Sequence, residues 1–333
     1  MLKKTEKPLV TIVTSMYKVE KYISQCLESC ISQTYKNIEV IVVDDGSPDK
    51  SGAIAEEFAQ KDSRIKVIHQ ENGGFGAGRN TGLDAAQGDY ICFLDADDYL
   101  MPDFVEYMLF LVKSTDAEIA ISRNCFTSSD NKQILNDSVS TISGRDAMVE
   151  FFYPYIQLGS WNKIYKMSFI RAHNLRFIPE LTTGEGLQFI TYAASLAKKV
   201  VVGKRKVYVY RTNNPISATT KANVQKQGLG CLATMNYIKS HLILETRKEY
   251  QAFDWHLTRC YRYCLQQIIN SGEKNSFKKL YKECVKKCRF GSFRQLFYPI
   301  SLNLKMRALF ILFSPVLYTK LQIAKKNRIL QRQ

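Results

Sequence analysis

No run of apolar residues in the 333-residue chain reaches the ~20 needed to cross a bilayer as a helix, so no transmembrane span is expected. The opening MLKKTEKPLV holds few apolar residues before Ser15 and Tyr17, and reads as no secretory signal. The nine cysteines lack the tight Cys-x-x-Cys spacing that zinc sites favour. Three pairs, Cys26/Cys30, Cys260/Cys264 and Cys284/Cys288, are spaced by four and would each stack on one helix face. An odd count without an export signal points to reduced thiols in a cytosolic setting, packed as small hydrophobes. The Gly-Lys-Ser/Thr ending of a phosphate-binding P-loop is also missing, and Gly73-Gly74-x-Gly has the wrong spacing for a dinucleotide fingerprint. Acids are scarce in the last fifth of the chain. Residues 271 to 333 hold fifteen Lys and Arg against two Glu, which places +13 of the net +16 there and leaves the front close to neutral.

What is present reads as a globular α/β protein. Apolar residues make up 45% and charged residues 23%, enough for one or two domains with a real core. LVTIVT (9–14), IEVIVVDD (38–45) and a short run at 64–70 read as strands, with helices between them at 22–34 and 52–60. Alternating strands and helices imply a parallel sheet with right-handed crossovers. A fourth strand, Tyr90 to Leu94, ends in Asp95, Asp97 and Asp98. Ligands of open α/β sheets sit at the carboxyl ends of the strands, and acids there can hold a divalent cation shared with a phosphate. Alternatively, these acids cap the next helix.

Asp44 and Asp45 close the second strand and Tyr17 follows the first, so all these tips share one edge. A tyrosine face and a carboxylate suit a nucleobase, which offers a π surface and N–H donors; both could also be ordinary turn residues. Between the third and fourth strands, Gly73 to Gly78 reads as a loop that lets backbone approach a ligand. Arg79 and Asn80 then begin a helix, where an arginine can meet phosphate or base oxygens in fork geometry.

Three stretches occur together and in order: VTSMYKVEKY, then QTYKNIEVIVVDDGSPDKS, then NGGFGAGRNTGLDAAQGDYICFLDADDYLMPD. They resemble the family 2 glycosyltransferases, inverting enzymes with a GT-A fold, and most of all the bacterial members that assemble capsular and exopolysaccharides. The likeness covers about residues 8 to 110 and continues more weakly to about 220. It implies a GT-A type, mostly parallel sheet flanked by helices, in a catalytic domain over 1–220. Residues 8–110 would be its nucleotide-sugar half and 111–220 its acceptor half, with a basic helical region over 221–333. By resemblance Tyr17 and Asp45 would hold the uracil of a UDP-sugar, with Ser15 contributing from the loop after strand one. Arg79 would lie by base and phosphates, Asp95 would meet the ribose or sugar, and Asp97 would bind the Mn²⁺ or Mg²⁺ that stabilises the departing nucleoside diphosphate.

LGSWNKIYKMSFI (158–170) resembles a Trp-Asn-Lys element of the same subfamily. Trp161 suits an acceptor sugar or core packing equally. At TTGEGLQFITYAASLA (182–197) the family pattern is Gly-Glu-Asp before a helix, the Asp serving as base; here Glu185 matches and Gly186 replaces the Asp. An inverting transfer needs a base at the acceptor hydroxyl. Glu185 is the candidate; a carboxylate elsewhere, or a nucleotide-sugar-binding protein without turnover acting as partner or regulator, are the alternatives. Residues 200 to 220 alternate like an edge strand and end in a loop, where Arg211 could neutralise pyrophosphate and Ser217 is a weaker candidate. No histidine lies between His173 and His241 to add a metal ligand.

Residues 222 to 270 read as helical. The apolar MRALFILFSPVLY (306–318), broken by Pro315 and flanked by basic residues, reads as an interfacial segment on an anionic leaflet, suited to a lipid-linked acceptor, or as a terminal helix with a solvated basic face. The expectation is a peripheral protein on the cytoplasmic face of the membrane. Nucleic-acid binding, which needs a basic groove with stacking aromatics, is not expected.

Overall fold

The apolar runs VTIVTSM, IEVIVVD and YICFLD lie side by side as parallel strands in the molecule's main sheet. The structure, a computed structural model, describes residues 7–212, 214 and 222–330. In chain order its strands are β1 (Val10–Met16), β2 (Ile38–Asp44), β3 (Ile65–His69), β4 (Tyr90–Asp95), β5 (Tyr99–Leu100), β6 (Ile119–Ser122), β7 (Ser140–Ile142), β8 (Lys163–Lys166), β9 (Val200–Gly203) and β10 (Tyr208–Val209). The helices are α1 (Ile23–Ile31), α2 (Ser51–Lys61), α3 (Gly74–Ala85), α4 (Phe104–Thr115), α5 (Gly144–Phe152), α6 (Met167–Ala172), α7 (Glu185–Leu196), α8 (Gly230–His241), α9 (Arg247–Asn270), α10 (Lys278–Gln295), α11 (Leu302–Phe313) and α12 (Pro315–Leu330), with a π-helical turn at Val224–Leu229.

The main sheet runs β3-β2-β1-β4-β8-β6-β9-β7. β3, β2, β1 and β4 are parallel, as are β6 and β9; β8 and β7 run antiparallel to their neighbours. β5 and β10 pair separately as a two-residue antiparallel ribbon. β1 is buried along its whole length and β2 almost so, as strands covered by helices on both faces must be. The core beneath them takes Ile23, Cys26, Leu27 and Cys30 from α1, so one cysteine pair does stack on a single helix face as small apolar side chains.

The chain forms two compact units, one of residues 1–180 and 185–212, the other of 181–184 and 213–333. In the second, α9 begins with a full capping box, Thr246 and Glu249 each accepting from the other's backbone. Cys288, Ile311, Tyr318 and Tyr261 pack α10, α11, α12 and α9 together. All nine cysteines are reduced and buried.

Three expectations change. The glycine-rich stretch is not a loop before a helix at Arg79; α3 already begins at Gly74. The residues at 200–203 do not form an edge strand: β9 is fully buried between β6 and β7. Its VVV run, apolar at consecutive positions, is that of a strand covered on both faces. The helical stretch of 222–270 is interrupted between His241 and Arg247, where the capping box restarts it.

Candidate active site

The strand ends converge because the register brings them level. Ser15 pairs with Asp95, and Met16 with Asp44, so Tyr17, Asp45 and the acidic turn after β4 share the carboxyl edge of the sheet. Ser15 is buried. Tyr17 is exposed, with the Lys18 ammonium 5.1 Å from its ring centre.

Asp45 is buried and fixes the start of α3. Its Oδ1 accepts from the Gly73 N–H at 2.9 Å and from Gln70 Nε2 at 2.7 Å; its Oδ2 accepts from the Gly74 N–H at 2.8 Å. A carboxylate from the neighbouring strand thus satisfies the orphan N–H groups of the helix and faces its positive end. This is why a segment of low helix propensity is helical. Its glycines serve a close approach: a Cβ at Gly78 would lie 2.1 Å from Ser15 Oγ, and one at Gly82 would lie 2.2 Å from a Val13 methyl.

Arg79, one turn into α3, joins the other candidates. Its Nη2 donates to Asp95 Oδ1 and its Nη1 to Glu185 Oε1, both at 2.8 Å. The guanidinium is buried, with Phe177 and Phe75 at 5.3 and 5.8 Å. Burial works against its charge, and the two carboxylates outweigh burial, so its pKa rises. Asp95 is pushed up by burial and drawn back by Arg79.

The acidic turn splits by side. Asp95 and Asp97 are part-exposed; Asp98 points inward and is buried. Asp98 Oδ2 accepts from the Tyr208 hydroxyl at 2.8 Å and Oδ1 from the Arg211 N–H at 2.7 Å. Burial first, then the charges of Asp95 and Asp97, pushes Asp98 up to about 8. Among the described residues no three His, Cys, Asp or Glu side chains converge as a complete metal cage. The donor set fits a hard cation of another kind: carboxylates crowded enough to repel one another, at the edge where an ion takes one or two of them and fills its shell with phosphate and water.

Arg211 lies on this turn. Its Nε donates to the Asp97 carbonyl at 2.7 Å and its Nη2 to Gln25 Oε1 at 2.6 Å, while the guanidinium stacks over Tyr22 at 4.8 Å and Tyr99 at 5.7 Å. It holds the turn's backbone from behind. Ser217 lies outside the described residues.

Trp161 stacks on Tyr208 and Tyr210, with ring centres 4.8 and 5.3 Å apart. Much of its face is therefore occupied by packing, and it braces the tyrosine that holds Asp98. The next two residues are structural. Asn162, at φ +57°, donates to the carbonyls of Ser122 and Asn124. Lys163 is fully buried and donates to the carbonyls of Gln157, Gly159 and Trp161 at 2.9, 2.7 and 3.2 Å. Burial lowers its pKa to about 7, with Cys125 pulling weakly the other way.

Gly186 follows Glu185 in the first turn of α7. A Cβ there would meet the Ser160 nitrogen at 3.4 Å, Gly159 Cα at 3.5 Å and the Leu158 carbonyl at 3.7 Å, which are ordinary contacts. Gly186 is buried, and the surroundings leave room for a Cβ at this position; this sequence puts none there. Tyr208 and the inward role of Asp98 carried no signal in the sequence, because their contact spans 110 residues. Lys163 lay inside the recognised Trp-Asn-Lys element, but nothing in its type announced full burial.

Residues 11–173 match the model of the family "Glycosyl transferase family 2". EpsH of Bacillus subtilis (strain 168), a glycosyltransferase by name, is 35% identical over 286 residues, 83% of this chain and 82% of that protein. Among solved structures, residues 1–349 of S. aureus TarS, crystallised with UDP-GlcNAc, superpose with a TM-score of 0.67 at 19% identity, covering 85% of this chain and 80% of TarS 1–349. The mannosyltransferase PcManGT of Pyrobaculum calidifontis, solved with GDP-Man and Mn²⁺, gives 0.58 at 12% identity over 96% and 87%. The structural likenesses show a GT-A fold; together with the sequence matches, they establish that this chain belongs to the family 2 glycosyltransferases.

Proposed function

We propose that the chain is a metal-dependent inverting transferase. It moves a sugar from a UDP-sugar to a hydroxyl of a lipid-linked oligosaccharide, in capsule or exopolysaccharide synthesis, on the cytoplasmic face of the cell membrane. Residues 1–220 would carry the catalysis and 221–333 the membrane side. The observation that carries this reading is the Arg79 bridge, which sets a donor-side carboxylate and a candidate base on one guanidinium. TarS bound to UDP-GlcNAc supports a uridine donor, and PcManGT bound to Mn²⁺ supports a cation.

In this reading the Tyr17 face lies against the uracil, and the buried Asp45 and Ser15 support the nucleoside site from beneath, Asp45 through the start of α3 that it holds. Asp95, oriented by Arg79, meets the ribose or sugar. Asp97 would hold Mn²⁺ or Mg²⁺, which when bound offsets the charge of the departing diphosphate. Arg211 keeps the Asp97 backbone in place. Glu185 Oε1 is engaged by Arg79, leaving Oε2 to take the proton of the acceptor hydroxyl. The hydroxyl oxygen then bonds to the anomeric carbon from the face opposite the diphosphate. The bond to the phosphate oxygen breaks with its electron pair on UDP, and the configuration inverts. Trp161, packed on Tyr208 and Tyr210, braces the acidic turn from behind.

The test is UDP release from a panel of UDP-sugars with Mn²⁺, using membrane extract as acceptor source, for wild type, Asp97→Ala and Glu185→Gln. One sugar giving acceptor-dependent turnover that both variants lose is the expected result. Gly186 favours a second reading, a nucleotide-sugar-binding partner or regulator. UDP-sugar binding with no turnover, restored by Gly186→Asp, would replace the first reading with a degenerate site.

A further inference from the structure

The last two helices are apolar on two opposite faces. In α11, Ala308 and Ile311 are buried within the unit. At 3.6 residues per turn, Leu302, Met306, Leu309, Phe310 and Phe313 fall on the far side, and all five are exposed; Leu302 and Phe313 are each 73% exposed. Lys305 and Arg307 border this stripe, one on each side. α12 repeats the pattern. Pro315, Tyr318 and Thr319 face inward, Leu317 and Leu321 face out, and Lys320 and Lys325 border them. Two successive helices therefore each carry a solvent-facing apolar stripe between basic edges, in a segment nearly free of acids.

Length decides what such stripes can do. α11 has 12 residues and α12 has 16, about 18 and 24 Å at ~1.5 Å per residue. A bilayer's hydrocarbon core is ~30 Å thick, so neither crosses it. Joined end to end they would reach, and their composition allows it, but the chain bends by 119° between them. A helix with an apolar face and long basic side chains at its borders suits the plane of the interface, the apolar side chains entering the acyl region while Lys and Arg reach the headgroups.

We propose that α11 and α12 are an in-plane anchor for an anionic phospholipid surface, inserting the Met306–Phe313 stripe and Leu317/Leu321 and pairing their basic borders with lipid phosphates. This deepens the membrane side of the function proposed above and shares its setting. Its test needs no turnover, so the two readings fail separately.

The full chain is sedimented with vesicles of phosphatidylglycerol and phosphatidylcholine, and with phosphatidylcholine alone. Binding to the anionic vesicles, falling with salt, is expected. Met306→Gln with Phe313→Gln should weaken it by at least about tenfold, and Lys305→Gln with Lys325→Gln by about fivefold per residue. Leu135→Gln, at an exposed apolar residue of the other unit, should change nothing. Circular dichroism confirms that the variants fold; their side chains are outside the core. Unchanged binding in the Met306/Phe313 variant overturns the proposal. So does a wild type that ignores vesicles but forms a dimer in ultracentrifugation which that variant dissociates; the stripe would then be a contact between copies.

Discussion

Arg79 donates to Glu185 across 106 residues of chain, and with its other nitrogen to Asp95. One buried side chain thereby fixes the distance between the end of β4 and the start of α7. The arrangement is costly to break. Removing a buried charge that compensates two others leaves both desolvated and unpaired, typically ~3–5 kcal/mol.

Glu185→Gln keeps the shape and a hydrogen-bond acceptor for Arg79 but cannot take a proton. Its kcat should fall about 10²–10⁴-fold, with the donor KM little changed. Arg79→Lys retains charge without the fork that serves two carboxylates. It should lose both kcat and stability, the latter by roughly 1–3 kcal/mol. Steady-state kinetics with urea denaturation separates the two variants.

Gly186→Asp should fold, because its Cβ enters ordinary contact distance of Leu158, Gly159 and Ser160. With Glu185 as the working base, the new carboxylate should change turnover by less than about tenfold, well short of what a missing general base costs. Initial rates at saturating donor measure this directly.

Gly82→Ala and Gly78→Ala should both destabilise. The methyl at 82 would meet a Val13 methyl at 2.2 Å, and the methyl at 78 would still meet Ser15 Cβ at 2.9 Å after the serine hydroxyl rotates away. Overpacking typically costs ~1–3 kcal/mol, so a lower melting temperature is expected for both.

His69 gives a pH signature away from the chemistry. Nδ1 meets Asp44 Oδ2 at 3.0 Å and Nε2 meets Glu56 Oε1 at 2.9 Å, so both nitrogens donate when the ring is charged. The bonds to Glu56 and then Asp44 raise its pKa above the ordinary ~6.5. A raised folded-state pKa gives stability that is full below about 6.5 and is lost as pH rises through the folded value. The melting-temperature gap between wild type and His69→Gln should therefore be widest at low pH and close as pH rises. It should be modest, because the ring is half exposed.

How much of this was legible depends on whether a feature is local. β1 and β2 announce themselves through β-branched runs and β4 through an apolar one, and the acidic ends of β2 and β4 follow directly. The start of α3 was missed because propensity describes a segment by itself, and the cap that makes Gly74 helical comes from Asp45, 28 and 29 residues upstream of the N–H groups it accepts. β9 looked like an edge because its neighbours β6 and β7 are set by topology. Asp98 reads as one of three acids, and only the folded chain shows that it turns inward to Tyr208.

The two-residue ribbon of β5 and β10 has a consequence for synthesis. The parallel pairs among β1 to β4 can form as soon as residue 95 has emerged, while the other edge of β4 waits for β8. The acidic turn cannot finish then: Tyr208 and Arg211, which hold Asp98, come more than 100 residues later. At ~5–20 residues per second, the nascent chain carries an acidic turn without its supports for many seconds. The carboxyl edge of the sheet is therefore built early and closed late, and, if that edge holds the donor as proposed, a fragment cut before residue 208 should bind nucleotide poorly.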